Sequence, residues 1–158
     1  MAVSTSNLIG VTLGYTDTSA SFKLGTTVNL DDGGQAVYVQ AASAVAQYDA
    51  VAVLGNNTVV PITTTNSANS KAVGFAQVSI ASASYGWVQL GGKPVVKLAA
   101  SCLPAVPLYT TATAGTLDDA VVSGGLVAGI VALSSASGAT ALTCVAGYPH
   151  VATGSVTP

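Results

Sequence analysis

The stretch Ala50–Ile62, with the sequence Ala-Val-Ala-Val-Leu-Gly-Asn-Asn-Thr-Val-Val-Pro-Ile, decides the fold class. Two short apolar runs, 50–54 and 58–62, are separated by the turn residues Gly55-Asn56-Asn57. Short runs rich in β-branched residues on either side of such a turn are typical of a β-hairpin. The stretch therefore predicts two antiparallel strands.

The same pattern recurs along most of the chain. Good helix formers are scarce while Val, Thr and Gly abound, and only the Ala-rich segment 41–48 leaves one or two helical turns open. Many short strands with a turn about every 8–12 residues predict an all-β fold, a compact β-sandwich or barrel. Phe75, Tyr85 and Trp87 are predicted to form the core of its first half. Further predicted strands are 36–40, 71–80, 85–90, 94–98, 106–109, 126–133 and 140–146.

An internal echo divides the chain into two similar halves of about 50 residues. Residues 37–43 resemble residues 95–101 at an offset of 58, and residues 73–76 resemble residues 128–131 at an offset of 55. Repetition on this scale reports architecture. We therefore expect one β domain over residues 31–158, with halves at about 36–92 and 93–151.

The first 30 residues differ from the rest, because their apolar residues are isolated among Thr, Ser and Gly. Two interpretations are open: a loose first strand behind a mobile terminus, or an extended N-terminal arm that becomes ordered against a neighbour. In the second case the apolar residues are contacts with a partner. These predicted contacts are Leu8, Ile9, Val11, Leu13, Phe22 and Leu24.

Charge is the most unusual part of the composition. Half of the residues are hydrophobic, yet only 6% are charged: four Lys and six Asp, with no Arg or Glu. Four scattered lysines do not form the basic face that a nucleic-acid binder needs, and no apolar run is long enough for a membrane-spanning helix. A surface of Ser, Thr, Ala, Gly and Asn costs little to dehydrate. This favours a protein that works in contact with other proteins.

No residue pattern indicates a catalytic reaction or a cofactor-binding site. The single histidine, His150, and the two cysteines, Cys102 and Cys144, do not have the spacing of a zinc site. The start of the chain lacks the features of a secretory signal, so a reducing cytosol favours two buried thiols over a disulfide. The acidic pairs 31–32 and 118–119 adjoin turn residues and are interpreted as turn formers. We therefore expect no catalytic site, no metal and no cofactor.

Short motifs in both halves resemble a family of small tailed-bacteriophage proteins that decorate or cement the capsid. The family repeats a strand start similar to Gly-Asp-x-Val-Tyr, then Ala-Val-Gly-x-Ala, then a turn with Gly before a last strand. The acidic residue of the strand start is present in the first half (Asp49) and absent from the second. The counterparts here are 48–51, 72–76 and 85–90 in the first half, and 106–109, 127–131 and 140–145 in the second.

The resemblance implies a structural protein of the virion with no enzyme activity. It would be made in the host cytoplasm and would bind the major capsid protein on the outside of the head, stabilising contacts between capsomers. It also implies a homo-oligomer, with a trimer favoured over a dimer. The composition separately argues against binding of nucleic acid or membrane. The alternative is a glycan-binding or adhesin-type β module, such as a head fibre or another surface appendage, which would use Trp87 or an exposed Tyr.

Overall fold

The computed structural model describes residues 11–152, and their regular structure consists of strands and one short 3-10 helix, Ser67–Asn69. Within this range no helix has the length and apolar character needed to cross a bilayer. The strands are β1 (Thr16–Asp17), β2 (Thr27–Asn29), β3 (Gln35–Ala41), β4 (Ala50–Val53), β5 (Thr58–Pro61), β6 (Ala72–Ala76), β7 (Tyr85–Gln89), β8 (Gly91–Gly92), β9 (Val95–Leu98), β10 (Leu108–Thr110), β11 (Leu117–Asp118), β12 (Leu126–Ala132) and β13 (Thr140–Val151).

The first half closes into a ring of five strands. The strand order is β3-β5-β4-β6-β7, and β7 pairs with β3 to complete the ring. The β3–β5 pair is parallel and the other four pairs are antiparallel. Apolar side chains from all five strands fill the interior, so the ring encloses its own core. They include Val37, Val39, Val51, Val53, Val59, Ala76 and Val88.

The second half repeats this ring strand for strand. Its order is β9-β11-β10-β12-β13, and β13 pairs with β9. The β9–β11 pair is again parallel, and the other pairs are antiparallel. The predicted all-β fold with two similar halves is confirmed.

The internal sequence similarity aligns equivalent strand pairs of the two rings, but the aligned side chains point to opposite faces. Val37 pairs with Val88 in the first ring, and residues 58 and 55 positions later, Val95 and Thr143, pair in the second. However, Val37 and Val88 lie in the first interior, whereas Thr143 is exposed and Val96 is the buried neighbour. A shift of one residue along a strand turns every side chain to the other face. The halves therefore share a topology, but a position that faces the interior in the first ring corresponds to one that faces outward in the second.

The two rings pack directly on each other. Ala50 of the first ring donates a backbone hydrogen bond to Gly115 (2.9 Å), and Gly115 donates one to Ile62 (2.9 Å). An ion pair between Lys97 Nζ and the nearly buried Asp49 Oδ1 (2.6 Å) joins the same regions. These contacts make the second ring part of one continuous core with the outer face of β4 and β6.

Phe75 and Trp87 belong to different clusters, so the prediction that they share one core is wrong. Phe75 packs in the cluster that contains the second ring's interior. Trp87 lies with Tyr38 on the outer face of β3 and β7, in a separate cluster. Alternation along strands explains the difference, because a ring has two faces and sequence spacing alone does not say which neighbour each face meets.

Residues 11–30 cover that outer face. β1 pairs with β7 and β2 pairs with β3, while Leu13, Val28 and Leu30 are buried in the cluster that contains Tyr38 and Trp87. Two large aromatic side chains on the outside of a ring need apolar cover, and this segment supplies it. The described part of the predicted arm therefore lies along its own ring, and residues 1–10 lie outside the described residues.

Candidate functional site

An apolar groove lies on the surface of the second ring. Its volume is about 620 Å³. Residues 126–131 of β12 and 145–147 of β13 form its floor, and the loop residues 105–107 form one side. We call this set the apolar groove. The antiparallel β12–β13 ladder that carries it has a register shift between Ala128 and Ile130, which both line the groove.

The groove has no charged lining residue, and its surroundings contain few charges. From residue 98 to the end of the chain the only charged side chains are Asp118 and Asp119. An apolar groove in such surroundings loses little hydration energy when another surface covers it. Its chemistry fits contact with protein, and it offers no acid, base or nucleophile to a small substrate.

Large apolar side chains project to solvent around the groove's half of the molecule. Val131 and Val145 are directly opposite each other on β12 and β13, and they are 37% and 41% exposed. Adjacent exposed apolar side chains, as these two are, mark binding surfaces more often than isolated ones. Of the eight large hydrophobic side chains exposed among residues 11–152, six belong to the second half: Leu103, Val121, Val131, Leu133, Val145 and Tyr148.

The predicted partner contacts that fall within residues 11–152 lie on the first ring instead. Leu8 and Ile9 lie outside the described residues. Leu13 is only 1% exposed, and Val11 and Leu24 pack against the same cluster on the first ring. Leu13 is therefore committed to the chain's own core and is not available to a partner.

Phe22 is the exception, since it is 40% exposed. Its ring contacts Tyr38 and Trp87 edge-on, with ring centroids 5.3 and 5.4 Å apart. Contact of Phe22 with a partner stays a prediction. The apolar groove was missed by sequence reasoning, although the long uncharged run after Asp119 was a usable signal.

A second, smaller cavity of about 240 Å³ lies beneath the N-terminal segment. It is lined by Val11, Thr12, Tyr15, Phe22 and Trp87. Tyr15 is 53% exposed, whereas Trp87 is fully buried and its indole Nε1 has no hydrogen-bond acceptor among the described residues. Aromatic walls with a few polar atoms are typical of a small-ligand or sugar site.

A carboxylate next to this cavity holds the segment in place. The Tyr38 hydroxyl donates a hydrogen bond to Asp17 Oδ2 (2.9 Å) and accepts one from the Ser21 backbone N–H (3.2 Å). Partial desolvation opposes ionisation of Asp17, but hydrogen bonds from Ser21, Tyr38 and Tyr15 outweigh it and hold the pKa of Asp17 below its usual value.

We expect acid to weaken this attachment. Because the pKa of Asp17 is lowered on folding, its contribution to stability is complete above the unfolded-state pKa and is lost as the pH falls through the folded value. Denaturant unfolding between about pH 5 and pH 2 should therefore show a shallower pH dependence in Asp17→Asn than in the wild type. Equal pH dependence in the two proteins would contradict this role for Asp17.

The structure also brings together residues that are far apart in sequence. The sulfur of Cys102 and carboxylate oxygens of Asp118 and Asp119 all lie within 4.8 Å of one another. Burial, then the nearby carboxylates of Asp119 and Asp118, raise the pKa of the Cys102 thiol. Burial and the neighbouring Cys102 raise the pKa of Cys144 to about 12. Both cysteines are buried free thiols.

The remaining candidates have simple structural surroundings. His150 lies exposed on β13. Asp32 accepts hydrogen bonds from the backbone of Gly34 (2.9 Å) and Lys93 (2.8 Å) and from the side chain of Gln89 (2.9 Å). It acts as a turn former, as predicted for this acidic pair, and it also ties the turn before β3 to the start of the second half.

No protein-family model matches the sequence, and no curated protein matches it either. The function is therefore inferred from the chain's own residues and geometry.

Proposed function

We propose that this chain is a structural virion protein, a decoration or cement protein that binds the outside of a tailed-bacteriophage head. The observation that carries the proposal is the apolar groove, which combines a volume of about 620 Å³ with a lining free of charge. The major capsid protein is the proposed partner, and the copies associate as a homo-oligomer, a trimer in preference to a dimer.

The energetics of such an interface favour a neutral surface. Each charged group that leaves water without a partner costs several kcal/mol, whereas apolar area gains about 25 cal/mol per Å² when it is covered. Val131 and Val145 already stand in solvent beside the groove, so covering them strengthens the association. A standard interface buries about 1,600 Å² in total, and many copies on one shell add avidity.

The closed strand pairing of the second ring suits the mechanical role. Its β12–β13 ladder runs from Val127–Val151 to Ala132–Cys144, and its core continues into the first ring. A bound copy would therefore resist deformation when neighbouring capsomers separate. The protein would stabilise the head because two capsomers could separate only if many of its contacts broke at the same time.

Sedimentation with undecorated heads, assembled from the cognate major capsid protein, tests the proposal. The purified chain should pellet with the heads in a saturable manner, and imaging of the particles should show an ordered outer layer. The same imaging and sedimentation equilibrium of the free protein give its oligomeric state, for which we expect a trimer. A chain that stays in the supernatant at every concentration would overturn the proposal.

The aromatic cavity favours one alternative, a glycan-binding module on a surface appendage. Tyr15 and Phe22 present exposed ring surface at its mouth, and Asp17 lies close by as a hydrogen-bond acceptor. A glycan array would then show saturable binding that Tyr15→Ala weakens about 10-fold or more, in line with the loss of an aromatic contact. An array with no binding would exclude the alternative and leave the head-binding proposal intact.

A further inference from the structure

A mixed thiol and carboxylate cluster at one end of the second ring has no role in the proposed function. β9 and β11 form a parallel pair through Leu98 and Leu117, so the chain segments that follow both strands leave the ring at the same end. Cys102 comes from the segment after β9, and Asp118 and Asp119 come from the end of β11. One ligand atom from each of the three residues lies within 4.8 Å of the other two.

The negative charge of this cluster is not balanced by a side chain. The ion pair of Lys97 with Asp49 is the only one formed among residues 11–152, so no Lys neutralises Asp118 or Asp119. Backbone N–H groups satisfy one oxygen of each: Leu103 donates to Asp119 Oδ2 (3.1 Å) and Asp119 donates to Asp118 Oδ1 (2.9 Å). The second oxygen of each carboxylate accepts no hydrogen bond from the described residues.

The third member of the cluster adds a buried sulfur to the two carboxylates. Cys102 is fully buried, and its sulfur lies 3.8 Å from the carbonyl oxygen of Leu103 and close to the backbone N–H of Asp119. The cluster therefore brings one buried sulfur and two carboxylate oxygens to a single point, with no cationic side chain among the described residues paired to them.

We propose that Cys102, Asp118 and Asp119 form a binding site for a divalent cation of borderline softness, with Zn²⁺ as the best fit. Mg²⁺ and Ca²⁺ prefer oxygen ligands alone, whereas Zn²⁺ accepts thiolate sulfur together with carboxylate oxygen. One sulfur and two oxygens supply three positions of a tetrahedron, and water supplies the fourth. On binding, the thiol proton leaves to solvent and the sulfur–zinc bond forms.

The required movement is small. Zinc–sulfur bonds of about 2.3 Å and zinc–oxygen bonds of about 2.1 Å place tetrahedral ligand atoms roughly 3.5 Å apart. The three atoms must therefore close by about 1 Å from their separation of up to 4.8 Å, which side-chain rotation of two aspartates provides. Bound Zn²⁺ would fasten the segment after β9 to the end of β11, beside the exposed side chains of Leu103 and Val121.

Titration of the metal-free full-length chain with Zn²⁺, followed by Cd²⁺, tests the site. We expect one Zn²⁺ per chain, a rise in Tm of about 5 °C or more at saturating metal, and an ultraviolet thiolate-to-metal charge-transfer band with Cd²⁺. Cys102→Ser should abolish the band and weaken Zn²⁺ binding at least 10-fold. Asp119→Asn retains an oxygen for the Leu103 N–H, so it should keep the fold and also weaken binding at least 10-fold.

Two matched variants separate this site from binding elsewhere on the surface. Asp31→Asn removes one member of the other acidic pair, and His150→Gln removes the only histidine; neither should change Zn²⁺ affinity. Zn²⁺ binding that survives Cys102→Ser and Asp119→Asn but falls in His150→Gln would show an adventitious ion only. That result, or the absence of a Cd²⁺–thiolate band in the wild type, would overturn the proposal, while head binding is measured separately.

Discussion

Replacing Val131 with Lys and Val145 with Glu is expected to weaken binding to undecorated heads about 100-fold or more. The two side chains are cross-strand neighbours at the apolar groove, and both face solvent in the free protein. Each loses about 1.5 kcal/mol or more of apolar burial in the complex, and each new charge must be dehydrated there. A loss of about 3 kcal/mol corresponds to roughly 100-fold in Kd. Co-sedimentation over a concentration series measures the change.

The double variant is designed to leave the fold intact. Opposite charges on directly paired strands attract each other, and the net charge of the chain does not change. Asn29→Lys with Gln35→Glu is the matched control, because these residues are also cross-strand neighbours, on β2 and β3 of the other half. The control should bind heads as the wild type does. Equal loss of binding in both variants, or in neither, would show that the groove is not the interface.

Gly34→Ala is expected to destabilise the chain by about 3 kcal/mol or more. A Cβ at this position would overlap with the carbonyl oxygen and carbon of Gly91 and lie 2.8 Å from the nitrogen of Gly92. These are backbone atoms of the segment that joins the rings, so no flexible side chain can move aside. Overpacking that shifts the backbone falls at the upper end of single-substitution effects. Denaturant unfolding followed by Trp87 fluorescence measures the loss.

Two other glycines provide the comparison for Gly34→Ala. Gly33 has a φ of +81° and open space around its Cβ position, so Gly33→Ala should cost only the backbone strain, about 1 kcal/mol. Gly55 has neither a positive φ nor a neighbour within 4 Å, and Gly55→Ala should be close to neutral. If Gly34→Ala costs no more than Gly33→Ala, close backbone approach does not determine this junction.

Local sequence was sufficient for the strands of this fold. The predicted hairpin at 50–62 became β4 and β5, because its turn has the residues that a tight reversal needs, including Asn57 at a φ of 61°. Ring closure was beyond the reach of local patterns. It depends on β7 meeting β3 about 50 residues away in the chain and on the outer aromatic face finding cover from residues 11–30.

The candidate sites were less predictable, for a related reason. The cluster of Cys102 with Asp118 and Asp119 exists because β9 and β11 are parallel neighbours. The spacing of these residues in the chain does not indicate that they are close in space. The apolar groove likewise needs β12, β13 and the loop 105–107 in place. The scarcity of charge, on which the proposed function depends, was evident from the sequence because it is a property of composition alone.

Closure of both rings has a consequence for crowded assemblies. A strand that ends a sheet offers unpaired amide and carbonyl groups to any neighbour, and this is how β proteins polymerise. Here the longest strands, β3, β12 and β13, have partners within the ring, and the strands appended to the first ring, β1 and β2, have only two and three residues. Copies packed at high density can therefore touch through side chains without fusing into fibres.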